Sequence, residues 1–262
     1  MWGPLQWCWK TWSAPDSPQA YQPLMLPAAA ALVWLRRNQL KAVYDSTRNR
    51  PRGGLWLLVF GCLLMLLAHA TQMASVSIGA FVIIVAGVVV RIYGWEMLWS
   101  LRTPILFLLT MIPLPGFMID YPTQELQLSG TRIGASILSN LHIPTVAQGT
   151  MLITQHYQVE IAPACSGVGI LLPLLVMTLW LLLIMEGSTG GKLFVLMAGF
   201  WIALGVNILR IVSMGLIGQI SPEIANQLHD ANSWLFTAIA FYLVYLTAKL
   251  VGIRELCGPI SN

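Results

Sequence analysis

The chain has 262 residues, of which 57% are hydrophobic and only 9% charged, with a formal net charge of +4. Soluble domains carry roughly 25% charged residues, so this composition and a mean hydropathy of +0.73 exclude a water-covered globule and put most of the chain in lipid or inside a helix bundle. Long unbroken apolar runs exclude a transmembrane barrel, whose strands alternate over about ten residues. The four scattered cysteines, Cys8, Cys62, Cys165 and Cys257, form no CxxC pair and exclude a zinc site or a dense disulfide framework.

Residues 1–23 carry Trp2, Trp7, Trp9, Trp12, Pro15, Pro18 and Pro23. They read as an irregular tail that seeks the membrane interface, without the basic start and apolar core of a cleaved signal peptide. From residue 24 to 262 the chain reads as one transmembrane domain. The segment 24–35 is apolar but shorter than the ~20 residues of a span, which leaves a short or tilted helix or an interfacial segment. Arg36, Arg37, Lys41, Arg48, Arg50 and Arg52 against Asp45 then mark a cytoplasmic loop.

Spans are expected at 54–71, 74–91 and 103–117, the last with Pro104, Pro113 and Pro115 near its ends. Residues 117–164 break the pattern. Leu126, Ile133, Ile137, Leu138 and Leu141 recur at helical intervals and predict an amphipathic helix over 124–141. After Pro144, the runs 146–153 and 157–161 predict a β-hairpin or two short strands. Three more spans follow at 166–185, 193–219 and 232–252, the first two joined by a glycine-rich turn at 187–191 and the last two by a polar stretch at 221–230. The expected fold is an all-α polytopic membrane protein, a bundle of about seven or eight transmembrane helices with a small extracytoplasmic insert at 117–164.

Orientation follows from the basic residues. With the 36–52 loop inside and the spans alternating, the cytoplasmic side receives Arg36, Arg37, Lys41, Arg48, Arg50, Arg52, Arg91, Arg102, Lys192, Lys249 and Arg254, which is 11 of the 14 Lys and Arg. The positive charge therefore reports topology, not a nucleic-acid partner; the partner it implies is the bilayer. The outer face then holds the insert, the start of the 166 span, the end of the 193 span and the start of the 232 span.

The unusual residues gather at that face. Cys165, in Ala162-Pro163-Ala164-Cys165-Ser166-Gly167, sits where an extended segment enters a helix, and the unpaired N–H groups of a helix N-terminus favour a thiolate. Arg210 lies deep in an apolar run, where a charge costs about 2.5–3.5 kcal/mol and ordinarily faces a cavity with a partner. Asn207 is three positions earlier on the same face. His229, followed by Asp230, begins the last span. Each residue also has a plainer reading: Cys165 as a small packing residue, His229 as an interfacial histidine, Arg210 as a structural ion-pair member with Glu160. His69, His142, His156, Cys62 and Cys257 read as ordinary surface or packing residues. Glu160 either steers the histidine or is simply exposed.

Glu160-Ile161-Ala162-Pro163-Ala164-Cys165-Ser166-Gly167, then Asn207-Ile208-Leu209-Arg210, then His229 before a final span, resembles the exosortase/archaeosortase family over about residues 55–252. Val168 and Gly169 stand where many relatives carry a basic residue. The resemblance implies a multi-pass cysteine protease or transpeptidase of a prokaryotic inner membrane, with a triad of Cys165, Arg210 and His229 facing the outside. It implies as substrates exported proteins with a C-terminal sorting signal: a short PEP-like motif, a transmembrane helix and a basic tail. Asn207, Ser166 and Glu160 would support the triad, and no metal or cofactor is implied. Two other readings stay open. Ser166 could serve as a rhomboid-like serine nucleophile, although the first glycine of that motif is absent, or Arg210 and His229 could carry ions or protons in a transporter or assembly scaffold.

Overall fold

A computed structural model describes residues 3–14, 17–47, 53–155, 157–161 and 167–255; for 3–5, 47, 226–234 and 255 it describes the backbone alone. The contacts gather into two compact units, one built mainly from residues 19–115 and the other mainly from 116–255.

The first unit holds α1 (Gly3–Ser13), α2 (Met25–Leu35), α3 (Arg37–Thr47), α4 (Leu55–Thr71), α5 (Ala74–Tyr93), α6 (Trp95–Ser100) and α7 (Arg102–Phe107). Residues 3–13, expected to be irregular, are helical: Pro4 lies in the first turn and Pro15 beyond the end, where proline punctuates a helix without breaking it. Eleven-residue α2 is about 16 Å long at 1.5 Å per residue, well short of a ~30 Å hydrocarbon core. The pair α4 and α5 packs closely because glycine faces its neighbour on both sides. A Cβ on Gly61 would lie 2.8 Å from Ile84 Cγ1, and one on Gly87 would lie 3.0 Å from Leu58. Small residues are what let membrane helices approach in this way. The opposite face of α4, with Leu55, Trp56, Val59, Phe60, Leu63, Leu66 and Leu67, is exposed. So large an apolar surface is suited to lipid, not water.

The run expected as one span at 103–117 is broken. Helix α7 passes into a 3-10 turn, Leu108–Met111, and residues 112–115 are not helical. Pro113 and Pro115 cannot donate to an i−4 carbonyl, and side chains take over the backbone groups left behind. Gln22 donates to the Ile112 carbonyl at 3.3 Å, Ser75 Oγ to Pro113 at 2.8 Å, and Gln19 accepts from Leu114 N–H at 3.0 Å.

The second unit begins with α8 (Gly116–Asn140), which starts eight residues before the expected helix and contains Pro122. Three antiparallel strands follow in the order β1 (Thr145–Gln148), β2 (Met151–Thr154), β3 (Gln158–Glu160). The run 146–153 is therefore itself a hairpin, with Gln148 opposite Met151. Gly149, at φ 61°, fills the first position of the two-residue loop, where a type II′ turn requires glycine. The long helices α9 (Val168–Ile184), α10 (Thr189–Ile220) and α11 (Pro222–Leu250) complete the unit. The polar stretch 221–230, expected as a linker, is the start of α11: Ser221 Oγ accepts from Ile224 N–H and Pro222 occupies the first turn, a strong helix-start combination. Two-residue strands β4 (Met185–Glu186) and β5 (Arg254–Glu255) clip the ends of α9 and α11 together.

The core of this unit runs between α9, α10 and α11 through Ile170, Leu174, Leu181, Val195, Ala203, Val206, Phe236, Ala240 and Val244. A second cluster joins α8, the sheet and α10 through Ala135, Leu138, Leu152, Ile161, Ile211 and Val212. Among the described residues, Ala74–Tyr93 and Thr189–Ile220 are each long and apolar enough to cross a membrane, and 102–111 with 116–140 pass only as a joined pair; 22–35, 55–71, 168–184 and 235–250 are shorter apolar helices.

Candidate active site

Cys165 and Ser166 lie outside the described residues, as do His156, Cys257 and the side chain of His229. What is described is the frame around Cys165, Ser166 and His229, all of it within the second unit.

Three glycine contacts set the helix register. A Cβ on Gly199 would sit 3.6 Å from both Thr178 Oγ1 of α9 and Val244 of α11, and one on Gly191 would sit 3.1 Å from Val251. At the other end, a Cβ on Gly167 would come 3.1 Å from Asn207 Nδ2. Helices α9 and α11 therefore run antiparallel to α10, and counting along them puts Gly167 beside Asn207 and residue 233 at the level of Arg210. His229 is backbone-helical and one turn, about 6 Å, from that level. It lies inside α11, not at its start as expected. The eighteen residues from Lys192 to Arg210 correspond to about 27 Å of helix, nearly the ~30 Å hydrocarbon thickness. Lys192 marks the far end, where its Nζ donates to the Leu182 carbonyl at 2.7 Å in the last turn of α9, a favourable place for a cation.

Arg210 is 3% exposed and Asn207 also 3%, on the inner face of α10. A guanidinium stays charged in such a place, and polar groups around it are needed to offset its desolvation. Among the described residues the Asn207 carbonyl oxygen has no hydrogen-bond partner. A buried acceptor left open costs about 1–3 kcal/mol, and such exceptions call for an explanation, of which a functional role is one. Glu160, the expected ion-pair candidate for Arg210, is exposed at the end of β3. His69 and His142 are exposed, the latter at φ 65° just past the end of α8.

Reading the sequence missed the inner face of α8. The expected apolar stripe puts Ile133 and Leu141 outside, 43% and 53% exposed. The buried residues are Ile119, Thr123, Gln127, Gly130, Thr131, Gly134, Ala135 and Leu138. Of the expected stripe, Leu138 is buried in the core and Leu126 and Ile137 are half-buried, while Asp120, Glu125 and Arg132 are exposed, so the amphipathic reading holds in part and small and polar residues share the packed face. Gly130 and Gly134 admit Ile211, whose methyls lie 3.0 and 2.8 Å from where a Cβ would be. Polar residues at 123, 127 and 131, each one turn from the next, were the signal that could have found this face.

No curated protein and no solved structure matches the chain. A family model described as Transmembrane exosortase matches residues 9–246, spanning both units and every element from α4 to α10, and the chain belongs to the transmembrane exosortase family.

Proposed function

We propose that this protein is a membrane-embedded cysteine transpeptidase or protease that recognises a C-terminal sorting signal on exported proteins and cleaves there. Its site faces the outside of a prokaryotic inner membrane, in keeping with the bias of basic residues toward the other side. The observation that carries this reading is the buried Asn207–Arg210 turn of α10, with Asn207 against Gly167, two residues beyond Cys165.

In this mechanism the Cys165 thiolate attacks the scissile carbonyl carbon. A C–S bond forms as the amide C–N bond breaks, leaving a thioester on the enzyme. His229 gives a proton to the departing amine, and Arg210 stabilises the negative charge on the tetrahedral oxygen. The open Asn207 acceptor takes an N–H of the substrate backbone. Water or an incoming amine then attacks the thioester, releasing an acid or a new amide and returning the thiol. Ser166 and Glu160 flank the nucleophile without a bond-making role. The substrate signal is a PEP-like motif followed by a transmembrane helix and a basic tail.

The test is co-expression with a reporter carrying such a signal, with mass spectrometry of the new C-terminus in wild type and Cys165→Ala. A cut near the motif that requires Cys165 is expected, and any added mass identifies transfer. Normal processing by Cys165→Ala would refute the cysteine mechanism.

A further inference from the structure

Ile161 is the last described residue before Cys165, and its backbone changes partners there. Its N–H donates to the Thr150 carbonyl at 2.9 Å, a sheet-like bond to the turn end of the hairpin. Among the described residues its own carbonyl meets no strand. It accepts instead from the side-chain amide of Gln127 on α8 at 2.6 Å, between residues 34 apart in sequence. Only the nitrogen of that amide can donate to a carbonyl, so the orientation of the Gln127 head follows. Gln127 is 9% exposed, and its own backbone carbonyl accepts from Thr131 Oγ1 at 2.7 Å. The Ile161 side chain is 3% exposed, in the cluster with Leu138, Leu152 and Ile211. Six residues later Gly167 rests on Asn207.

We propose that Gln127 is a positioning residue for the nucleophile. Its hydrogen bond to Ile161 anchors the chain entering the cysteine segment, as the Gly167–Asn207 contact anchors the chain leaving it, and the two anchors together set where the Cys165 thiol stands relative to Arg210. Two observations favour this role over simple packing. An apolar side chain at position 127 would satisfy packing, yet a buried amide is present. The next polar residue on the same face, Thr123, is also buried, and among the described residues its hydroxyl meets no hydrogen-bond partner, so this face of α8 carries polar groups that packing alone does not call for. The proposal rests on Cys165 as the nucleophile.

The experiment uses full-length protein with Cys8, Cys62 and Cys257 replaced by serine, and follows the rate at which iodoacetamide alkylates Cys165 as a function of pH. It compares Gln127, Gln127→Met and Gln127→Glu. Methionine keeps the shape and leaves the Ile161 carbonyl unbonded, so the rate should change about tenfold at every pH, as expected for a lost bond to a buried acceptor. Glutamate donates to that carbonyl when its carboxyl is protonated and repels it when ionised. Its rate relative to Gln127 at the same pH should match at low pH and depart as pH rises. A glutamate that recovers at low pH also shows that the variant is folded. A Met variant alkylated at the wild-type rate, or a Glu variant whose relative rate is flat with pH, overturns the proposal. Reporter processing by Cys165→Ala, run alongside, separates the two failures: if it proceeds, the cysteine mechanism falls and this proposal with it, whereas a dead Cys165→Ala with an indifferent Gln127→Met removes the anchor alone.

Discussion

Replacing Gly167 with alanine probes the exit from the cysteine segment with one methyl group. Gly167 is at φ 99° and caps the N-terminus of α9, a backbone conformation that costs an L-residue about 1–3 kcal/mol. The added Cβ would also press to 3.1 Å from Asn207 Nδ2 and 3.3 Å from its Cγ, tighter than ordinary van der Waals contact, and Asn207 is too buried to move freely. A combined penalty of about 2 kcal/mol corresponds to a roughly 30-fold loss in the population of the native segment. The assay is the Cys165 alkylation rate and reporter processing in detergent-solubilised protein, with the thermal midpoint measured on the same samples. Gly205→Ala on the same helix as Asn207 is the control: no heavy atom lies within 4 Å of its Cβ, and alanine is favoured over glycine in a helix by up to about 1 kcal/mol. An unchanged alkylation rate and processing yield in Gly167→Ala would refute the argument that this glycine and Asn207 shape the site.

Gly218→Ala should lower the thermal midpoint by the equivalent of about 1–3 kcal/mol, because its Cβ would run into the Tyr157 ring, which packs with Met214 and Ala225; a circular-dichroism melt reads it. Burial pushes the Tyr157 hydroxyl above the ordinary tyrosine range, favouring its protonated form in the fold. Its stabilising share is therefore complete below about pH 10 and is lost as pH rises beyond, so Tyr157→Phe should blunt alkaline unfolding in a pH titration. Arg210→Lys keeps the charge but loses the planar fork of donors, and reporter processing should fall about 100-fold, the scale of one lost oxyanion donor. Thiol alkylators should block processing while serine-directed reagents leave it intact; the reverse pattern in a labelling assay would move the nucleophile to Ser166.

The parts of this fold legible in the sequence are those that obey local rules. Apolar runs bounded by glycine, serine and proline mark α4, α5, α9 and α10, because a backbone in lipid must satisfy its own hydrogen bonds and a helix does so within one segment. Arg210 stood out for the same reason, as an ionisable group where lipid tolerates few. The break at 112–115 and the early start of α11 were also written locally, in Pro113, Pro115, Ser221 and Pro222, but apolar length was the more conspicuous signal and hid them.

What tertiary structure alone decided is which way each helix faces and what its polar groups meet. An apolar stripe marks a buried face only roughly: the packed face of α8 holds Ile119 and Leu138 but also Thr123, Gln127 and Thr131, with Gly130 and Gly134 against Ile211. The sequence by itself determined a helical membrane chain with a cysteine, an arginine and a histidine arranged along its second half. The fold added that Gln127 completes the hydrogen bonding of Ile161, a pairing 34 residues apart, because a strand end with no neighbouring strand takes its partner from whichever helix packs beside it.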